Sequence, residues 1–539
     1  MRRVLAIFLD GYERSLAQRL MCAGEMPEMS RLAESSARFV LNYGAAQRTG
    51  LAGEHVATGL SPDDAGRWSA IHFDRESYDV WQEGTRLKPF PAELDVRTVV
   101  FDTPYFDLRA APAVNGIVGW GAHDPGVSLT ASPADLATEI QRKFGPYPAE
   151  QWTYGFAWPS ARKSSEIGLY LARAVDVRAA AAHWLLAERL ADWDLALVAV
   201  SETHSVIEPA WHGIDPTHPL HHLPSAPAAR ASVHSVYHAV DRLIGRLTSA
   251  FPDALTVVFA MGGMGDNRSD VPSMLILPEL MYRRAFQAPL FKQPKEWPWS
   301  ENGSPVLLSD TDAWGSRIAG GYRARPLRRI VTRAQRVGKS VLRRAPPQPP
   351  RPERISLSWM PAAAYQPFWH AMPAFALPSY YDGRIRVNLR GRESRGIVDP
   401  GNYQRVLADV ERLVRESIDP ATKRSAVDFV EYTAPRDPGE MAETQADLVF
   451  VWKGTVSSLE HPSLGRIGPL PYRRTGGHTG ASGMAYIKSH RLPAGEWGTR
   501  SAFDVVPTII DLLGQPQAPS ISGSSLLLGT ESIQRFETA

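Results

Sequence analysis

Four short apolar runs constrain this chain more than any other feature. Val4–Leu9, Val99–Phe101, Leu195–Val200 and Leu255–Ala260 each end in a polar or glycine-rich turn, and helical patterns follow them. Strands apolar along their whole length are buried on both faces, so the alternation points to an α/β fold with a mostly parallel sheet and helices on both sides. Residues that do chemistry then belong just past the C-terminal strand ends. Ala179–Asp192, rich in Ala and Leu, and Ser232–Phe251, apolar at helical spacing, are expected as two of the helices.

The length, 539 residues, exceeds what one core usually serves, so one large domain with an insertion or two domains is expected. Lys plus Arg number 59 against 57 Asp plus Glu; the net charge of +2 argues against a dedicated nucleic-acid binder. With Cys22 the single cysteine, any metal must be held by imidazole and carboxylate. MRRVLAIFLDGYE reads as a first strand rather than a secretion signal. No apolar run approaches the roughly 20 residues that span a bilayer, and a cytoplasmic location is the expectation.

Between about Leu277 and Leu377 the character changes. Tyr322–Arg354 is strongly basic and then proline-rich. It reads as a solvated basic helix and stiff linker, or as a surface for an anionic substrate or acidic lipid headgroups, with 322–344 the candidate for membrane-surface contact. The expected division is a core over 1–276, an insertion or cap over 277–376, and the rest of the core over 377–539. In that last part Gly383–Leu389, Leu448–Trp452 and Gly483–Lys488 are expected strands. Ser501–Leu513 is an expected helix, with Pro507 in its first turns where the missing N–H costs least.

Three places could carry chemistry. Asp10, directly after the first strand and followed by Gly11, projects a carboxylate into the cleft above the sheet as ligand or base, or caps the next helix. Thr49 in RTGLAGEHVATG opens an expected helix; such a threonine is an N-cap more often than a nucleophile. Ser201–His222 holds five of the fifteen histidines. Of these, His218, His221 and His222 sit among prolines and read as surface loop, and the stretch around His212 and Asp215 as mainly structural.

Taken in order, FLDG, the Thr49 stretch ending in TGLSP, SETHS, MGGMGDN and GGHTG resemble the alkaline phosphatase superfamily, in particular its type I phosphodiesterase and nucleotide pyrophosphatase branch. VNGIVGWGAHDPG, GRIRVNLRGRESRGIVDPGNY, QADLVFVWKG and FDVVPTIIDLLG add to the resemblance, which covers most of the chain outside 280–370. It implies a three-layer sandwich with a cap, and an alcohol that attacks phosphorus with the help of two metal ions. Carried over, Asp10 is a second-metal ligand, Thr49 the nucleophile and His478 a first-metal ligand. His204 and Glu208 stand where the family has Asp and His. Met261 and Gly262 replace an Asp-His pair, and neither can hold a hard divalent ion. The expectation is therefore one ion, most simply zinc, at His204, Glu208 and His478, with the second site lost.

Losing the nucleophile's own ion removes activation on the order of 12 kcal/mol, if a bound metal lowers an oxygen acid by about 9 pKa units. Asp10 as base to Thr49 could offset part of this, and Arg48, Arg473 and Arg474 could hold a phosphoryl group. The resemblance thus implies a divergent phosphohydrolase or phosphodiesterase acting on a small anionic phosphate ester. The alternatives are an inactive relative that binds a phosphorylated or sulfated ligand or a protein partner, and a transferase.

Overall fold

The structure is a computed structural model that describes residues 3–297, 306–322, 353–433 and 437–527. Nine strands form the central sheet: β1 Val4–Leu9, β2 Ala37–Asn42, β3 Thr98–Phe101, β4 Asn115–Val118, β5 Thr130–Ser132, β6 Leu195–Val200, β7 Leu255–Ala260, β8 Gly483–Lys488 and β9 Gly495–Ser501. Their spatial order is β9-β2-β8-β7-β1-β6-β3-β4-β5. β1 lies parallel to both β6 and β7, and β3 parallel to both β6 and β4. β8 and β5 are antiparallel to their neighbours. All four apolar runs that defined the sequence pattern occupy its centre.

Alternation along β1 shows why those runs must be apolar throughout. Leu5, Ile7 and Leu9 enter one core with helices Ala161–Trp184 and Ala226–Ala250, while Val4, Ala6 and Phe8 enter the other with Val505–Leu512. The two long helices begin well upstream of their expected starts. Ala161–Trp184 ends in a wider π turn, Leu185–Arg189, so the Ala/Leu-rich stretch from Ala179 supplies only the end of this helix and the π turn. The C-terminal helix is Val505–Leu512, with Pro507 in its first turn as expected and a 3₁₀ turn, Ala502–Asp504, before it.

The strands expected to resume the sheet divide between two places. Gly483–Lys488 enters the central sheet, but Gly383–Val387 and Leu448–Trp452 pair with each other in a separate four-stranded antiparallel sheet. That sheet shares a third apolar core with helix Leu277–Phe286 and with Trp369 and Met372, so this core spans residue 377. The GRIRVNLRGRE run is held there by buried charges: Arg386 pairs with Glu393 at 2.7 Å and Arg392 with Asp447 at 2.8 Å. No helix among the described residues is long and apolar enough to cross a membrane. The basic segment 322–344, apart from Tyr322, lies outside the described residues.

Candidate metal centre

The site is assembled at the C-terminal ends of β1 and β6. The Asp10 amide donates to the Val200 carbonyl at 2.9 Å, which keeps the two strand ends level. Helix Glu202–Ala210 starts immediately after β6 and crosses over Gly11. A Cβ on Gly11, whose φ is +63°, would lie 2.5 Å from His204 Cα, so only glycine lets that helix approach. Thr203 Oγ1 donates to the Asp10 carbonyl at 2.5 Å and fixes the approach. His204 and Glu208, four residues apart, then share the helix face turned to the cleft. The strand Gly476–Gly480 is placed against the same helix by the Thr475 amide, which donates to the Glu208 carbonyl at 2.7 Å. At Gly476 a Cβ would meet the Ile207 carbonyl at 2.4 Å.

Four of the residues singled out in the sequence converge. His204 Nδ1 is 3.0 Å from Asp10 Oδ2, and His204 Nε2 is 3.4 Å from Glu208 Oε1 and 3.1 Å from His478 Nε2. A fifth group, His123, lies in the GAHDPG loop after β4. Its ring stacks on His204 at 3.8 Å between centroids, and its Nε2 is 3.6 Å from Glu208 Oε2. Ligand atoms of His123, His204 and Glu208 all fall within 4.8 Å of one another, and all three residues are buried. The outer nitrogens are already engaged, with Ser205 Oγ 3.1 Å from His123 Nδ1 and Asp10 on His204 Nδ1. Each imidazole therefore presents Nε2 to the centre, the arrangement by which outer partners orient metal-binding histidines.

Protonation fits the same centre. Burial alone would lower the His204 pKa, but the carboxylates of Asp10 and Glu208 outweigh it and raise the imidazolium to about 10. Burial, and then the charge on His204, hold His123 and His478 well below the ordinary histidine range, so both are neutral donors at pH 7. For Glu208 burial acts upward; the Arg474 guanidinium, His123 and His204 overcome it and keep the carboxylate ionised. Two buried atoms, His123 Nε2 and Glu208 Oε2, have no hydrogen-bond partner among the described residues, though they face each other. Buried donors and acceptors are rarely left so. A divalent ion between them, in place of the His204 Nε2 proton, would satisfy both, so the donor set fits a nitrogen- and oxygen-bound zinc.

The remaining candidates are placed differently. Thr49 does not open the following helix, which runs Ala52–Thr58; it closes the 3₁₀ turn Gly44–Arg48. Its hydroxyl is buried, donates to the Ala46 carbonyl at 2.7 Å and accepts from the Leu51 amide at 3.2 Å. Arg48 pairs with Asp382 at 2.9 Å and with Glu431, so both its partners are carboxylates of this chain. Arg474 binds Glu208, and Arg473 binds Asp270 at 2.7 Å. His212 Nε2 meets Ser225 Oγ at 3.0 Å, a structural contact as expected. His218, expected on the surface, is buried, and its Nδ1 accepts from the Leu220 amide at 3.1 Å.

Met261 and Gly262, where the resemblance implies an Asp-His pair, pack against this chain's own side chains. Met261 is buried in the core on the β2 and β7 side. Beside Gly262 lies Gln47, whose Nε2 donates to the carbonyls of His478 at 2.8 Å and Gly480 at 3.1 Å. A Cβ on Gly262 would meet Gln47 Oε1 at 3.1 Å and Tyr43 Cδ1 at 3.2 Å. Restoring the pair as Met261→Asp with Gly262→His is therefore expected to bind no second ion. It should also cost at least about 2 kcal/mol, through overpacking and a buried carboxylate. Urea unfolding and metal stoichiometry check both; uptake of a second equivalent without loss of stability would contradict the account.

No family model matches the chain, and no curated protein does. Among solved structures it is similar to phosphonoacetate hydrolase from Sinorhizobium meliloti 1021 in complex with phosphonoformate, at 16% identity over 95% of each chain and a TM-score of 0.47. It is also similar to murine ectonucleotide pyrophosphatase/phosphodiesterase 5, at 11% identity over 97% of this chain and 98% of that one, TM-score 0.45. The human form of the latter matches at 9% identity over 97% of each chain, TM-score 0.43.

Proposed function

We propose that the protein is a divergent, metal-dependent phosphoric ester hydrolase of the alkaline phosphatase type that works with one ion, most simply zinc. The observation that carries this is the pair of buried atoms, His123 Nε2 and Glu208 Oε2, without a hydrogen-bond partner among the described residues, at the centre formed with His204. His123, His204 and Glu208 would hold the ion, with His478 3.1 Å from His204 Nε2 as the fourth donor. The bound ion would supply Lewis-acid stabilisation of charge on a phosphoryl oxygen. Asp10 holds the His204 ring through Nδ1 and is the proton acceptor for the alcohol. Thr49 is the nucleophile: its hydroxyl turns from the Ala46 carbonyl, its oxygen bonds to phosphorus as one ester oxygen leaves, and water then cleaves the threonyl ester, releasing a phosphate monoester from a diester substrate and phosphate from a monoester.

The test is hydrolysis of an aryl phosphate diester alongside metal analysis. About one equivalent of metal per chain is expected, and Thr49→Ala should lower kcat by about 10³-fold or more without loss of metal. Unchanged turnover in Thr49→Ala removes the nucleophile assignment.

The second reading is a silent relative that binds a phosphorylated or sulfated ligand. The engagement of the Thr49 hydroxyl with the Ala46 carbonyl and of Arg474 with Glu208 favours it. It is distinguished by ligand-induced stabilisation without turnover.

A further inference from the structure

A cleft of about 960 Å³ adjoins the centre, with Glu208, Arg474 and Tyr381 on its wall. Charge divides it along the boundary between core and cap. Among the described residues, every charged one that lines it belongs to the core wall: Asp124, Glu208, Asp270, Arg473 and Arg474. Among the described residues, none of those that the cap contributes to the lining, at 313–322 and 355–366, is charged. The cap wall is instead built from residues such as Ile318, Ala319, Ile355, Trp359 and Met360.

Two details suggest what would complete the cleft. On the core side, Arg474 Nε is buried with no hydrogen-bond partner among the described residues, a donor left over for an anion. On the cap side, Ile355 and Trp359 are 39% and 40% exposed, apolar surface that a ligand would remove from water. A phosphoryl group alone would leave most of this volume unfilled, since cavities of roughly 300–1,000 Å³ hold whole drug-sized ligands.

We infer that the cleft selects amphiphilic phosphoric esters, with the phosphoryl group at the core wall beside Arg474 and a flexible apolar chain of the alcohol laid along the cap wall. The inference rests on the hydrolase reading for the nature of the head group, but binding alone tests it.

Methyl-, butyl- and octylphosphonic acid offer no ester to hydrolyse. They should bind progressively tighter by calorimetry, octyl at least about tenfold tighter than methyl, because each buried methylene is worth up to about fourfold. Octyltrimethylammonium, with the same chain and a cationic head, and inorganic phosphate, with the head alone, should both bind at least about tenfold more weakly than octylphosphonic acid. Ile355→Asp, on the half-exposed cap wall, should erase the chain-length preference and leave methylphosphonate binding unchanged.

Equal affinity for methyl and octyl, or for the cationic and anionic octyl compounds, overturns the inference even if the protein proves to be a hydrolase. Chain-dependent binding together with inert octyl 4-nitrophenyl phosphate removes the hydrolase reading and leaves the inference standing.

Discussion

His204→Ala is expected to retain no divalent ion after dialysis and to hydrolyse a phosphate diester at least about 10³-fold more slowly than the wild type. Among the described residues no other side chain touches so much of the centre: Asp10 is on its Nδ1, Glu208 and His478 are within 3.4 Å of its Nε2, and His123 is stacked on its ring. In the metal-free protein the same substitution leaves two buried carboxylates without the cation between them. Breaking a buried ion pair in this way typically costs about 3–5 kcal/mol, and Arg474, which still neutralises Glu208, places the expected loss toward the lower end.

The pH dependence carries the same signature. The folded pKa of His204 is raised to about 10 from 6.5. Its contribution to metal-free stability is therefore fully present below pH 6.5 and is lost as the pH rises toward 10. Metal affinity should run the opposite way over that window, because the ion displaces the Nε2 proton. Denaturant unfolding across this range should show the decline in the wild type and a flatter profile in His204→Ala.

Arg178→Ala should have the largest effect on folding itself, a loss of about 3–5 kcal/mol in urea unfolding. Arg178 is fully buried in helix Ala161–Trp184 and bridges the ends of two central strands. Its Nη1 donates to Asp102 at 2.8 Å, just past β3, and its Nε to Glu202 at 3.0 Å, just past β6. Asp102 sits at φ +58°, where its carboxylate also accepts from the Trp120 and Gly121 amides at 2.7 and 2.9 Å. Removing the guanidinium strands two buried carboxylates. Lysine should rescue poorly, because a single ammonium cannot reproduce the forked geometry. Glu202 is also the first residue of the helix that bears His204 and Glu208, so metal affinity is expected to fall along with stability.

What the sequence disclosed follows from what local pattern can carry. Strands apolar on both faces announce a buried parallel sheet, and residues just past their ends are confined to one edge of it; Asp10 was visible for that reason, whereas His204 and Glu208 were singled out through the resemblance. His123 was not, because a histidine in a lone GAHDPG loop has no spacing relation to SETHS, and only the packing of β4 beside β3 brings it there. The one available signal was its own place past a strand end. Gln47 was silent for a similar reason: its amide is informative only once Gly262 and the His478 carbonyl surround it. The proline-flanked His218 misled because polarity along a segment does not report the Tyr472 ring that packs nearby. The antiparallel sheet containing Gly383–Val387 was mistaken for a return to the core, since a short apolar strand looks alike in either sheet.

The most direct measurement is metal analysis of protein equilibrated with zinc and dialysed, joined to a crystal structure with anomalous scattering at the metal edge. The account predicts one ion per chain, bounded by His123, His204 and Glu208, with no anomalous peak beside Met261. A centre that stays empty at saturating zinc, or a second ion near Gly262, would contradict it.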